Sequence, residues 1–283
     1  LTLFFAFGAG LFAVRIFIIF HDCGHGSFFK SKRANDLVGM FTGILTFTPY
    51  HAWRHSHAVH HATSGDLDRR GVGDVWTLTY EEYHSRPLWI RLLYRVYRNP
   101  FFVFLIAPTL DFVVLQRLPQ ANSAQKRIEK NSVIITNLIL LAVVVIMSLL
   151  IGFKAYVLVQ LPIVALASSI GVWLFYVQHQ YENTYWEWHE NWDFVAAAFY
   201  GSSFYKLPKV LQWFTGNIGF HHIHHLSPRI PNYRLEACYK ANPVLQQVEP
   251  LTLRTSLKSL FVRVWDENRH KMMGYQPPQP PPQ

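Results

Sequence analysis

His21-Asp22-Cys23-Gly24-His25, His57-Ala58-Val59-His60-His61 and His221-His222-Ile223-His224-His225 are the stretches that decide this fold. Each sets imidazoles at i, i+3 or i+4, which brings them onto one face of a helix. Imidazole is the commonest protein metal ligand and suits iron, zinc and copper. The eight histidines His21, His25, His57, His60, His61, His221, His224 and His225 are too many for one ion and fit a pair. Cys23 lies between His21 and His25, but at i+2 it points off their face and reads as a small packed thiol. His222 falls off the stripe of its own cluster in the same way.

Composition describes the surroundings. The 283 residues are 51% hydrophobic, 16% aromatic and only 15% charged, whereas a soluble domain carries about a quarter charged residues. Mean hydropathy is a modest +0.10, so only part of the chain is expected in lipid. The formal net charge is +9, and its Lys and Arg residues flank apolar runs. That pattern reads as membrane-surface charge and argues against a nucleic-acid footprint. The two cysteines, Cys23 and Cys238, imply no disulfide framework.

The apolar run 1–20 is just long enough to cross a bilayer, with Arg15 near its inner end. It lacks the marks of a signal peptide. Because the sequence opens inside this run, an earlier span is expected ahead of it. Segments 37–50 (with Gly39, Gly43 and Pro49) and 101–115 (with Pro108 and Asp111) are too short or interrupted to span. They are expected to lie in the interface, or to dip in and return. Segments 131–151 and 155–176 are two further spans, hinged at Gly152-Phe153-Lys154 as a helical hairpin. The expectation is an all-α membrane domain over 1–275, a cytosolic helical cap holding a dinuclear metal site, and a Pro- and Gln-rich tail over 276–283.

Parity then places the clusters. If 37–50 and 101–115 do not cross, the first two clusters share a side and the hairpin returns the third to it. Lys30, Lys32, Arg33, Arg69, Arg70, Arg91, Arg95, Arg98, Lys126, Arg127, Lys206 and Lys209 fall on that side, against Lys154 alone on the other. The positive-inside bias makes it the cytoplasm. Phosphate loops and a GxSxG elbow are missing from the sequence.

Three boxes of the form HxxxH, HxxHH and HxxHH, in that order, resemble the membrane fatty acid desaturase and hydroxylase superfamily. The surrounding words HDCGHGSFF, WRHSHAVHHATSGDLDRRGVGDVWTLT, QHQYENTYWE and GNIGFHHIHHLSPRIPNY look like its acyl-lipid, delta-12 (omega-6) branch. The resemblance covers nearly the whole chain and implies two ferrous ions, molecular oxygen and a membrane acyl lipid as substrate. A cis double bond is the implied product. A further ligand, His179, is implied at the inner end of the last span; taken alone it reads as an interfacial polar residue. No haem motif or ferredoxin cysteine set is fused to the chain. A separate electron donor, ferredoxin or cytochrome b5, is therefore implied. The His that opens the third box and the short first box lean away from the front-end and stearoyl-CoA branches.

Metal-bound histidines hand their second nitrogen to a carboxylate or carbonyl. Asp22, Asp66, Asp68, Asp74 and Glu182 are candidates near the boxes, equally readable as solvated charge or as partners of Arg69 and Arg70. Asn217, four residues before His221, either bonds a metal-bound water or caps the helix. His51 approaches the face of His57 poorly, and His55, His84, His189 and His270 show no partner pattern. Two rivals stand beside the desaturase reading: a fatty acid or carotenoid hydroxylase or ketolase with the same boxes, and, more remotely, a membrane metal transporter. The two later spans contain no acidic residue, which tells against transport.

Overall fold

The computed structural model describes residues 2–119 and 127–276. Lys126 of the basic set and residues 277–283 of the tail lie outside the described residues. The fold is mostly helical, as expected. In chain order its helices are α1 (Thr2–His25), α2 (Lys32–Leu45), α3 (Tyr50–Thr63), α4 (Tyr80–Ser85), α5 (Leu88–Tyr97), α6 (Ala107–Val113), α7 (Arg127–Ile151) and α8 (Phe153–His179). A C-terminal cap adds α9 (Phe194–Tyr200), α10 (Lys209–Phe214), α11 (His221–Leu226), α12 (Asn232–Ala241) and α13 (Leu253–Ser256).

Among the described residues, α1, α7 and α8 are long and apolar enough to cross a membrane. In α1 the buried stripe is Ala6, Gly10, Val14 and Ile18, one residue every four. Val14 and Ile18 pack on Leu174 and Val177 of α8. Its N-terminal turns expose Leu3, Phe4, Phe5 and Phe7, the surface a lipid-facing helix presents. The hairpin between α7 and α8 is tighter than the sequence indicates. Gly152 alone makes it, at φ 87°, a conformation that costs a Cβ-bearing residue dearly. Helices α1 and α8 also run past the apolar stretches, so their last turns carry His21, His25 and His179.

Segment 37–50 forms the inside of a helical hairpin. Helix α2 stops at Leu45, and after a turn containing Phe47 at φ 58° the chain returns as α3. Gly39 allows the close approach: a Cβ there would lie 2.2 Å from Tyr50 Cε2. The Tyr50 hydroxyl donates to Cys23 O at 2.7 Å and ties α3 to α1. Segment 101–115 is broken differently. Pro108 has no amide to give Phe104, and the turn ahead of it widens into a π-turn over Phe102–Ile106. The whole run to Arg117 is bent by 55° from α5.

The His51 amide donates to Ser132 Oγ at 3.1 Å, so α7 begins beside the helix of the second box. Helix α8 ends where His179 Nε2 lies 3.3 Å from His60 Nε2. The three clusters converge at this end of the bundle. Helix α5 is amphipathic, which the sequence reading did not anticipate. Leu88, Trp89, Leu92 and Leu93 are exposed, while Arg91 and Arg95 lie over the Tyr83 ring.

Two small sheets complete the cap. Strand β1 (Phe204–Lys206) pairs in parallel with β2 (Pro250–Thr252), and β3 (Val264–Asp266) pairs antiparallel with β4 (Lys271–Met273). The fully buried Arg98 clamps cap to bundle by donating to Trp76 O, Gln180 Oε1, Tyr176 Oη and Val262 O.

Candidate metal centre

The boxes bring nine imidazoles together in two groups. His21, His25, His57, His61 and His224 offer nitrogens that all lie within 4.8 Å of one another, as do those of His60, His179 and His225. His221 joins the second group, with its Nε2 3.0 Å from that of His179. The groups abut where the His61 and His225 rings stack at 4.1 Å. Each HxxHH box is thus divided, contrary to the single convergent stripe the spacing implies. His57 and His61, one helical turn apart, serve one group while His60 turns to the other. In α11, His224 is separated from His221 and His225 in the same way.

The outer partners set the tautomer these rings take when neutral. His60 Nδ1 donates to Asp74 Oδ1 at 2.6 Å, and His179 Nδ1 donates to Gly201 O at 3.0 Å. A neutral imidazole that donates through Nδ1 carries a bare lone pair at Nε2. The facing Nε2 atoms of His60 and His179 are therefore two lone pairs 3.3 Å apart, repulsive unless a cation lies between them. The other group repeats the arrangement. His21 Nδ1 meets Asp22 Oδ1 at 3.2 Å, and its Nε2 sits 3.0 Å from His57 Nε2. The Nε2 atoms of His57 and His61 are 3.2 Å apart, and those of His61 and His224 are 3.0 Å apart. His25 Nε2 and His225 Nε2 are buried with no hydrogen-bond partner among the described residues. Such a donor set fits metal ions.

Burial first, and neighbouring imidazoles second, hold His57, His61, His221, His224 and His225 well below the ordinary histidine range. Neutral rings are the form that ligates. Trp53 stacks on His57 at 4.3 Å, and Phe175 covers His60 at 5.1 Å, which screens the cluster from water.

A cavity of about 600 Å³ leads to this cluster. His21, His57 and His221 line it together with Phe17, Val164 and Phe175, and so do Leu45, Phe47, Leu115 and Leu118. Leu45, Leu115 and Leu118 are exposed there.

Of the expected carboxylates only Asp22 and Asp74 touch a box histidine among the described residues. Asp66 instead accepts from His189 Nδ1 at 2.8 Å and from the Asp68 amide at 3.0 Å. Asp68 accepts from the His189 amide, and Glu182 faces Lys271 at 3.8 Å. Asn217, at φ 58°, donates to Asn232 O and accepts from Gln212, so it neither caps α11 nor faces the cluster. His222 is buried, not at the surface, with Nε2 3.0 Å from Leu245 O. Histidines without a sequence pattern have partners too: His189 has Asp66, His270 has Glu187 and His55 has Glu129. Sequence reasoning missed Gly201, whose carbonyl orients His179, and Asn232, which locks Asp22. Neither carries a local signal, since both act from the far cap.

Long apolar helices beneath a buried, histidine-built metal site define an integral membrane metalloenzyme. The chain belongs to the fatty acid desaturase family, whose model matches residues 1–252, and it is an oxidoreductase of that kind. A fatty acid desaturase of Bacillus subtilis is 50% identical over 275 residues, covering 97% of this chain and 78% of the relative. An sn-1 acyl-lipid omega-3 desaturase (ferredoxin) of a Synechocystis species is 26% identical, covering 88% of this chain and 70% of its own length. An sn-1 oleoyl-lipid 12-desaturase from Synechocystis is 27% identical, with 79% and 63% covered.

Proposed function

We propose that this chain introduces a cis double bond into an acyl chain of a membrane lipid, at the delta-12 (omega-6) position, using two iron ions. His21, His25, His57, His61 and His224 would hold one ion, and His60, His179, His221 and His225 the other. Asp22 and Asp74 orient them from behind. The observation that carries this reading is the apolar cavity that three box histidines help to line. An acyl chain threaded there sets an unactivated methylene against the metal site.

When bound, iron supplies the oxidising power that removal of hydrogen from such a methylene requires. The protein's own residues do the rest. Phe17, Val164 and Phe175 hold the chain and exclude water. Trp53 and Phe175 fix the rings of His57 and His60, and the Asp22 and Asp74 carboxylates fix the tautomer of their partner imidazoles and keep Nε2 aimed inward. Molecular oxygen takes the two hydrogens together with two further electrons and protons, and leaves as two waters. Those electrons need an outside donor, and we assign a ferredoxin, with cytochrome b5 as the alternative. Relatives named for ferredoxin support the choice, and the basic bias of the histidine side suits an acidic protein. The same bias supports a cytoplasmic position for the boxes.

The 12-desaturase relative supports the delta-12 position, and the omega-3 relatives support a second reading, omega-3. Expression in a host that makes only monounsaturated lipids, with fatty acids analysed by gas chromatography–mass spectrometry, separates them. A new diunsaturated acid with its second bond at delta-12, missing from a His60→Ala control, is the expected result. A bond elsewhere would reassign the position, and a hydroxylated product would move the chain to the hydroxylase branch.

A further inference from the structure

Beside Asp74, the carboxylate that meets His60 Nδ1, lies a second and much smaller cavity of about 10 Å³. Asp74, His179, Thr184, Trp186 and Gly201 are among its walls. A space of this size holds one water when two to four polar groups reach it. Asp74 Oδ2, Thr184 Oγ1 and Trp186 Nε1 are all buried with no hydrogen-bond partner among the described residues. The Asp74 side chain is 6% exposed, and Thr184 and Trp186 are each 4% exposed. The set is chemically matched: a carboxylate oxygen that can only accept, an indole N–H that can only donate, and a hydroxyl that does either.

We propose that Trp186 is a positioning residue for the metal centre: with Thr184 it holds one water against Asp74 Oδ2, and so fixes the carboxylate that orients His60. The other Asp74 oxygen is taken by His60 Nδ1, so the free oxygen is a second handle by which the surroundings set the carboxylate's rotation. Trp186 is itself immobilised by packing on Leu67, Val262, Trp265 and Met272. The cap, and not only the helical bundle, thereby sets the aim of a ligand on α3. Partners of this outer kind change metal affinity by about 10–100-fold when removed. The effect is one-sided, because His60 belongs to the His60, His179 and His225 group and not to the five-histidine group.

The inference rests on the ligand assignment proposed above, and the test separates the two. The full chain in lipid nanodiscs is loaded with ferrous iron without oxygen, and its Mössbauer spectrum and iron affinities are measured. Wild-type protein that takes up no pair of ions would overturn the ligand assignment and this inference with it. With two ions bound, Trp186→Phe is expected to change the quadrupole splitting of one iron only and to weaken that ion about ten-fold. Asp74→Asn should alter the same iron, and Trp186→Phe added to Asp74→Asn should do nothing further. Both signals unchanged in Trp186→Phe, both irons lost together, or full additivity with Asp74→Asn would each overturn the role. Thr184→Val, nearly isosteric, gives the same reading should Trp186→Phe fail to accumulate. A shift at that one iron sustains the proposal, and wild-type signals overturn it.

Discussion

Asp22 Oδ2 accepts two hydrogen bonds from Asn232, one from the backbone amide at 2.6 Å and one from the side-chain Nδ2 at 2.8 Å. The other oxygen of Asp22 meets His21 Nδ1. One buried carboxylate therefore joins the end of the first membrane helix, a box histidine and the start of α12. Asp22→Ala leaves two buried donors on Asn232 and one on His21 without acceptors. Metal content and desaturation are expected to fall by about 10–100-fold, and thermal stability in detergent by about 1–3 kcal/mol. Iron retention equal to wild type would show that His21 needs no partner.

Two histidines of the third box, His222 and His224, should behave oppositely. His224→Ala removes a nitrogen 3.0 Å from His61 Nε2 and is expected to abolish product and reduce bound iron. His222 faces Leu245 O instead. Its alanine variant should keep both irons while losing about 1–3 kcal/mol from the stranded carbonyl and the lost packing. Metal analysis and lipid profiles of the two variants check this.

Acid should loosen the fold before it touches surface carboxylates. His57, His61, His221, His224 and His225 are held well below the usual histidine range by burial, and His222 is pushed down to about 4. In the unfolded chain the same rings take up protons near pH 6.5. The unfolded state thus binds more protons below that value, so stability is complete above about pH 6.5 and falls as pH drops beneath it. The melting temperature in detergent, followed against pH, should be flat on the alkaline side and decline on the acid side. A rise on acidification would mean that the folded cluster is charged.

Gly171 of α8 borders the large cavity, and a Cβ built there meets nothing within 4 Å. Gly171→Leu should therefore fold, with helix propensity improved by up to about 1 kcal/mol, yet push its side chain into the acyl slot. Desaturation is expected to fall at least about ten-fold with iron content unchanged, a loss of positioned substrate that leaves the site intact. Lipid analysis beside metal analysis decides it, and full activity would place the acyl chain elsewhere.

Much of this was legible in the chain. The length of the apolar runs marks α1, α7 and α8, because backbone in lipid must satisfy its own hydrogen bonds and a helix does so within one segment. The i, i+3 and i+4 spacing of the boxes identifies eight of the nine clustered histidines, since helix geometry alone puts them together. His179 came only through resemblance: a single histidine at the end of an apolar helix has no periodicity to mark it. The carboxylates were half legible. Asp22 adjoins its histidine, but Asp74 reaches His60 through a loop, and Asp66, closer in sequence, turns to His189.

Sequence by itself determined that helices cross a membrane, that histidines cluster on their faces, and that the cluster could serve two ions. Local spacing and hydrophobicity are properties of contiguous residues, and they survive being read one segment at a time. Only the tertiary structure decided how each HxxHH box is divided between two groups, which nitrogen each ring turns inward, and where the apolar slot meets them. Those outcomes depend on Gly201, Asn232, Arg98 and Trp186, which lie far in sequence from at least some of the groups they fix. A contact made across the fold leaves no period in the chain.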